Sequence, residues 1–487
     1  LAADSTVDGG LYAAAPRIYP RHVDGRFARL RWLMVWVTQL VFYGTPWLQW
    51  NGRQAVLFDI GARRFHIFGL VLWPQDFILL TGLLICSAMA LFLFTAVAGR
   101  LWCGYTCPQT VYTSIFLWIE RHTEGEWAAR KRRDAAPRGR DWWVRKSLKH
   151  SAWAAVALWT GFSFVGYFTP IREMVGDSMA LALGPWETFW VGFYGFATYG
   201  NAGWMREQVC TYMCPYARFQ GVMMDDHTLT VTYDSTRGEP RGGRARGVAA
   251  RTGGIGDCVD CQRCVQVCPT GIDIRKGLQI ECINCGLCVD ACNEIMTHLD
   301  YPPGLIRYTS QEQLRSSVPK TSCSAAPDGA SACACSAAPA STLAARASHL
   351  PWRRALVYGG ILTLAGGAMV FQIATRVPVR LDVERDRGVL SRDLADGEIE
   401  NVYSVQILNM SERPRTFALS VSGAPSLRLG PAGQLTTVPA LGSVWVAVDV
   451  DADPGQVPHP RLPIMLQVQA TDDPSVVARS QTQFFSR

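Results

Sequence analysis

Charged residues are scarce in this chain of 487 residues: 18%, against 49% apolar residues. With a mean hydropathy of +0.07, that balance fits poorly with an ordinary soluble enzyme. Several motifs are missing. There is no C-x2-C-H haem attachment, no Walker loop, and no G-x-G-x-x-G opening a helix after a strand. No histidine falls inside a long apolar run, His150 only bordering one, which argues against a bis-histidine haem. Sixteen cysteines are too few for a small disulfide scaffold, and none occurs after Cys335. Fibrous, disordered and small secreted classes are thereby excluded. The length allows about three domains at ~150 residues each. A membrane protein with soluble parts is what remains.

Five apolar stretches are long enough to cross a bilayer: 32–50, 77–97, 151–168, 186–204 and 355–374. Each would match a hydrocarbon core of roughly 30 Å at ~1.5 Å rise per residue. The fourth is the weakest, holding four glycines, Glu187 and Asn201. Many of the 17 tryptophans lie at or near the ends of these stretches, as in an aromatic belt. No small-residue cleavage site follows the first run, so it reads as a span rather than a signal peptide. Loop charges set the orientation. Residues 121–149 carry ten Lys/Arg against four Asp/Glu, and residues 235–251 carry five Arg against one Glu. Basic segments stay cytoplasmic. The N-terminus is therefore expected inside and everything after residue 375 outside. The net charge of +7 records this sidedness, so nucleic acid is not needed to explain it.

Residues 258–292 carry the densest signal. Cys258-x2-Cys261-x2-Cys264-x3-Cys268-Pro269 is followed by Cys282-x2-Cys285-x2-Cys288-x3-Cys292. This is the bacterial two-cluster ferredoxin spacing, in which the fourth Cys of each run ligates the other [4Fe-4S] cluster. The expected sets are Cys258, Cys261, Cys264 and Cys292 for one cluster, and Cys282, Cys285, Cys288 and Cys268 for the second. A four-cysteine zinc site would show two C-x2-C pairs a dozen or more residues apart, which this is not. Asn293 replaces the usual proline after the last ligand.

A second pattern occurs twice, as Cys103-Gly-Tyr-Thr-Cys107-Pro108 and Cys210-Thr-Tyr-Met-Cys214-Pro215. Both copies follow an even-numbered span, which suggests duplication of a two-span unit at the cytoplasmic face. Proline ending each motif favours a turn that opens the next helix. Thiols there are expected to have depressed pKa values, and soft thiolates favour Cu(I), zinc or iron–sulfur centres. Transient copper ligation or thiol redox chemistry is the functional reading, and packing at helix contacts the structural one. Tyr105, Tyr212, Met213, Met223, Met224 and His227 are near enough in sequence to assist. Cys86, alone in the second span, reads as a core residue.

Residues 316–350 are rich in Ser, Ala and Pro and read as a flexible linker. They contain Cys323, Cys333 and Cys335, to which no role is assigned. From residue 380 the apolar pattern has period two, as in Val444, Val446, Val448 and Val450, giving six or seven strands of a β-sandwich.

Taken together, these stretches resemble the FixG/RdxA/CcoG family, membrane iron–sulfur accessory proteins of cbb3-type cytochrome oxidase. The likeness rests on 57–69 (LFDIGARRFHIFG), 99–110 (GRLWCGYTCPQT), 210–220 (CTYMCPYARFQ), the ferredoxin run and 303–308 (PGLIRY). It implies a protein of the bacterial inner membrane that helps deliver copper to the oxidase by reducing Cu(II) to Cu(I). The fold expected is an α-helical membrane protein of about five transmembrane helices with an inserted two-[4Fe-4S] ferredoxin-like domain and a C-terminal Ig-like β-sandwich. Its segments would be a cytoplasmic tail (1–31), a four-span core (32–230), a ferredoxin domain (231–310), a linker (311–354), a fifth helix (355–374) and a periplasmic sandwich (375–487). Two [4Fe-4S] clusters are the expected cofactors and copper the substrate, with Cys103, Cys107, Cys210 and Cys214 as copper or redox thiols. Expected partners are the lipid bilayer, a cytoplasmic electron donor, a copper chaperone or transporter and oxidase assembly factors, a homodimer being left open. A quinol-linked membrane polyferredoxin and a non-catalytic assembly scaffold are the alternatives.

Overall fold

The computed structural model describes residues 18–243, 254–316 and 352–486, except 386–390, 395–396, 425, 431–433, 454, 456 and 458. Cys323, Cys333 and Cys335 lie outside the described residues. The chain divides into two compact units, residues 1–366 and 367–487.

In the first unit, α1 (Arg26–Gly44) leads into short strands β1 (Gln49–Trp50) and β2 (Arg53–Gln54). A three-stranded antiparallel sheet follows, of β3 (Val56–Asp59), β4 (Arg64–Ile67) and β5 (Leu70–Leu72). Period-two placement of Phe58, Phe65 and their neighbours explains this sheet, where the span pattern alone leaves a plain loop. Gln54 ties it to the end of a later helix, donating to the Gly166 carbonyl and accepting from Ile171 N–H. Then come α2 (Phe77–Ala98), α3 (Leu101–Tyr105), α4 (Pro108–Glu124), α5 (Trp127–Ala135), α6 (Arg140–Val165), α7 (Ile171–Met179) and α8 (Pro185–Tyr199). Two wide helical turns, 200–205 and 209–213, precede α9 (Tyr216–Met223).

Every stretch expected to span a membrane is helical over much of its length. Among the described residues, however, two helices are long and apolar enough to cross one: Phe77–Ala98 and Arg353–Ala374. The other three fall short for separate reasons. α1 starts early and carries Arg26, Arg29 and Arg31 in its first turns. α6 devotes its first eleven residues to a charged stretch ending at Lys149 and His150. α8 has 15 residues, about 22 Å of helix, before the backbone widens at Gly200. Cys86 is half-buried rather than enclosed in a core.

α6 and α8 approach closely at Gly161, where a Cβ would lie 2.4 Å from the Val191 carbonyl oxygen. α4 packs on α6 through Phe116 stacked on the buried Trp153, ring centroids 5.1 Å apart. Below this pair lies a buried charge network. Glu120 accepts from Arg206 at 2.5 Å and Arg130 at 2.7 Å, while Glu124 meets Lys146 at 3.0 Å and Lys149 at 3.2 Å.

The cysteine-rich part follows. It contains β6 (Thr230–Tyr233), short helices α10 (Ser235–Gly238) and α11 (Arg263–Gln266), α12 (Leu287–His298) and β7 (Ile306–Thr309), which pairs antiparallel with β6. The linker expected from residue 311 begins instead with a short helix, α13 (Gln311–Ser316). Asn293, standing where proline is usual, fixes the turn before β7: its side-chain carbonyl accepts from Gly304 N–H at 2.9 Å. Then α14 (Trp352–Ala374) follows.

The second unit is a two-sheet sandwich with nine strands among the described residues, more than the six or seven expected. They are β8 (Val379–Arg385), β9 (Arg392–Asp393), β10 (Ile399–Asn409), β11 (Arg415–Ser422), β12 (Arg428–Leu429), β13 (Leu435–Val438), β14 (Ser443–Ala452), β15 (Arg461–Ala470) and β16 (Val477–Phe485). One sheet runs β12-β14-β10-β8 with β9 beside β10, and the other runs β13-β11-β15-β16. Alternation puts Tyr403, Val405, Ile407, Val448, Val450, Phe417, Leu466 and Val468 in one core, while Trp445 faces outward.

Candidate functional site

Short turns between closely spaced cysteines decide the local geometry of the ferredoxin part. Asp260, Gln262 and Asn284 have positive φ, and Gly286 does too, at +75°. These left-handed residues curl the chain so that successive cysteines face one side. The result is two cavities with mainly apolar walls. One is lined by Cys258, Cys261, Cys264 and Cys292 with Tyr233, Ile295 and Leu305. The second is lined by Cys268, Cys282, Cys285 and Cys288 with Val231, Ile274 and Ile283, Cys264 standing between the two. These are the two sets of four that the spacing predicts, with Cys268 and Cys292 exchanged between the runs. None of the eight is in a disulfide. Among the described residues no three His, Cys, Asp or Glu groups converge closely enough for a single metal ion. The donor set therefore fits a polynuclear cluster with thiolates spread over its faces.

Burial raises the thiol pKa values of Cys264 and Cys292 in one group and of Cys282, Cys285 and Cys288 in the other. Cys264, Cys282 and Cys292 are pushed up to about 12, desolvation being the largest cause in each. Arg275 opposes this at Cys264 and is held by Asp273 at 2.8 Å.

The two C-x3-C-P motifs meet, and the first packs against the wall of the second cavity. Cys103 belongs to α3, Cys107 caps the start of α4, and Pro108 is the first residue of α4, as the sequence leads one to expect. Cys210 lies in the wide turn 209–213, and Cys214 ends it. The thiols of Cys103, Cys107, Cys210 and Cys214 are close enough that each of the first three senses charge on others of the set. The expected depressed pKa is not found. Burial pushes Cys103 up to about 12 and Cys210 up to about 11, and raises Cys107, despite Arg100 acting in the opposite direction on Cys103 and Cys210. Desolvation outweighs the helix terminus because these thiols are enclosed.

Contacts from α3 bind this thiol group to the cysteine-rich loop. A Cβ on Gly104 would stand 2.7 Å from the Ile283 carbonyl oxygen, so only glycine permits this approach. Tyr105 donates to the Cys285 carbonyl at 3.1 Å and contacts the Tyr308 hydroxyl at 3.2 Å. The Arg100 guanidinium donates to the carbonyls of Ile280 and Ala217, joining the loop to α9. Cys103 donates to Gln220, also on α9, at 3.5 Å.

The two copies are not equivalent in space. Tyr105 is 5% exposed, whereas Tyr212 is 74% exposed and Met213 56%. His227 is exposed. Met224 approaches Gly99, its sulfur 3.5 Å from where a Cβ would be. Sequence reasoning missed Arg100, Asn284 and Asp290. Asn284 lies between two cysteines and accepts from Val231 N–H at 3.0 Å, a role that the spacing of cysteines does not announce.

Comparison with known proteins follows the same division. The 4Fe-4S dicluster domain matches residues 205–311, a 4Fe-4S binding domain matches 79–132, and the Ig-like fold at the C-terminus of FixG matches 369–487. The nitrogen fixation protein FixG of Rhizobium meliloti (strain 1021) is 40% identical over 443 residues, 88% of this chain and 84% of that protein. The chain belongs to the FixG family. Protein RdxA and protein RdxB of Cereibacter sphaeroides are 39% and 36% identical, each over 92% of both chains. This FixG-type chain is thus an iron–sulfur electron-transfer protein of the FixG/RdxA family with an Ig-like C-terminal domain.

Proposed function

We propose that this chain reduces Cu(II) to Cu(I) for the assembly of a cbb3-type cytochrome oxidase. The carrying observation is that the first C-x3-C-P motif packs directly against the loop Ile283–Cys285 through Gly104 and Tyr105, with the thiols of the second motif beside those of the first. Cys258, Cys261, Cys264 and Cys292 would hold one [4Fe-4S] cluster, and Cys268, Cys282, Cys285 and Cys288 the other. Such clusters supply one-electron reducing power at potentials within roughly −700 to +450 mV. Copper is the substrate. Cys103, Cys107, Cys210 and Cys214 would hold it and, as soft donors, favour the Cu(I) product. Binding has to draw the thiols inward and release their protons, since no single-ion site stands ready among the described residues.

In this reading the chain is a multi-pass inner-membrane protein, N-terminus and ferredoxin domain in the cytoplasm and β-sandwich in the periplasm. Large apolar side chains left exposed on α1 (Leu33, Trp36, Leu40) and α8 (Trp186, Phe193, Phe196) support embedding of helices beyond the two long apolar ones. A cytoplasmic electron donor would feed the clusters, and a copper chaperone or transporter and oxidase assembly factors would take the product.

The test is anaerobic reduction of purified protein, addition of Cu(II), and detection of Cu(I) by a chelator alongside cluster absorbance. The wild type is expected to produce Cu(I) as its clusters oxidise. Cys103→Ala and Cys210→Ala should retain cluster absorbance and lose most of the Cu(I) yield. Unchanged cluster absorbance on adding Cu(II) to the wild type would refute the reading. Full activity in both variants would remove the thiols from it.

A further inference from the structure

Six lysine and arginine side chains are buried among the described residues: Arg31, Arg100, Arg130, Lys146, Lys149 and Arg206. Four of them pair with Glu120 or Glu124 in the network between α4 and α6. Arg31 and Arg100 are the other two, 7% and 3% exposed, and neither forms an ion pair among the described residues. Their hydrogen bonds go to neutral groups. Arg31 donates to the Ser114 hydroxyl at 2.9 Å, and Arg100 donates to the carbonyls of Ile280 and Ala217. A buried cation without a counter-ion is costly, and two of them call for an anionic group close by.

Both stand at the second set of cysteines. Ile280 is two residues before Cys282, and Arg100 is close enough to Cys282 to act on it electrostatically. Arg31 does the same at Cys285. It is carried there by α1, which packs on the same loop: a Cβ on Gly286 would lie 2.8 Å from the Phe27 ring, and Phe27 is one turn before Arg31 on the same helix face. The first set is different. Arg275 acts on Cys264, but Asp273 acts there in the opposite direction, and both Asp273 and Asp260 pair with Arg275. Arg263 is paired with Glu294 at 3.0 Å. Asp290, the buried carboxylate of α12, is taken up by the first turn of α1. Uncompensated positive charge is therefore concentrated at one of the two cluster positions.

A cubane held by four thiolates is anionic and becomes more so on reduction. A fixed cation beside it stabilises the reduced form and raises the reduction potential. Removal of water opposes reduction, but the low dielectric that does so also strengthens the pull of a nearby cation. From this asymmetry we infer that Arg31 and Arg100 give the cluster held by Cys268, Cys282, Cys285 and Cys288 the higher potential of the two, which directs electrons to it from the first cluster. The step moves one electron: the reduced first cluster is oxidised, the second is reduced, and no bond forms or breaks. Cys261, in the first set, is exposed, where a soluble one-electron reductant reaches it. Gly104 and Tyr105 set the first C-x3-C-P motif on the loop of the second. Arg31 and Arg100 act through the cluster and are positioning residues. The inference rests on the iron–sulfur reading of the ferredoxin part and not on copper as the acceptor.

The experiment is an anaerobic redox titration of the full-length protein in detergent with both clusters loaded, followed by electron paramagnetic resonance of the reduced clusters. Cys261→Ser, which alters or removes the signal of the first cluster, assigns the two signals. In the wild type the second cluster should reduce before the first as the potential is lowered. Arg100→Gln and Arg31→Gln should each shift the reduction equilibrium of the second cluster about tenfold towards the oxidised form, about 59 mV for one electron, and leave the first in place. Arg100→Lys and Arg31→Lys keep the charge and should stay near the wild-type value. Simultaneous reduction in the wild type, the reverse order, or an unshifted second cluster in the Gln variants overturns the inference. Equal shifts in the Lys and Gln variants also overturn it, since the hydrogen bonds and not the charge would then be acting. Should Arg100→Gln lose its clusters, Arg31→Gln and the wild-type order decide. Cu(II) enters none of these readouts. Failure here leaves the copper reading standing, and reduced clusters that Cu(II) does not reoxidise would end the copper reading alone.

Discussion

Two tyrosines at equivalent positions of a repeated motif have different surroundings. Tyr105 is buried and donates to the Cys285 carbonyl, while Tyr212 is exposed. Tyr105→Phe is expected to lower stability by about 1 kcal/mol, the net worth of one buried hydrogen bond. Tyr212→Phe should change nothing, and thermal unfolding of the two variants side by side checks the contrast. Glu120 makes a second argument at this scale. Burial would raise its pKa, but Arg206, Arg130 and Lys149 together hold it below the ordinary value of 4.5. A carboxylate with a depressed folded-state pKa contributes stability above its unfolded value and loses it as pH falls through the folded one. Glu120→Gln should therefore cost about 3–5 kcal/mol near neutrality, where it strands buried cations. That gap should narrow as pH drops below 4.5, as unfolding curves across pH would show.

Among the helices, α1 starts on a residue from elsewhere. Gly25 offers no side-chain cap, and Asp290 of α12 accepts from Ala28 N–H at 2.8 Å and caps the first turn instead. Phe27 reaches Tyr308 beside it, ring centroids 5.0 Å apart. The carboxylate also suits the positive end of the helix dipole. Replacing Asp290 by Ala should cost about 0.5–2 kcal/mol, the usual range for a lost N-cap. It should also speed hydrogen exchange at residues 26–28 well before it affects the middle of α1. The wide turns at 200–205 and 209–213 are a comparable feature. They end α8 early and turn Arg206 back to Glu120, so the helix is shorter than its apolar run.

For the whole molecule, the division at residue 366 separates the redox parts from the sandwich. The sandwich has its own core of some eighteen buried residues, closed by Phe484 from the last strand. Residues 369–487 expressed alone should give a β-type circular dichroism spectrum and unfold cooperatively with heat. A fragment without ordered structure would show that the sandwich needs the rest of the chain.

The sequence alone determined the chemistry that depends on local spacing. Eight cysteines at ferredoxin intervals were assignable to two sets because ligand order along a short chain leaves few ways to wrap a cluster. Alternating valines revealed β14 for the same reason, since a strand repeats every two residues. Boundaries and environments were less legible. Three expected spans proved shorter or more charged than their apolar runs, and β3 to β5 went unseen. Only tertiary packing placed the two C-x3-C-P motifs together and set the first on the cysteine loop through Gly104. It also raised the thiol pKa values of Cys103, Cys107 and Cys210 where the helix terminus alone predicted a fall. Burial is a property of what surrounds a residue, and those neighbours come from α3, α9 and the loop 280–285, up to 180 residues away in the chain.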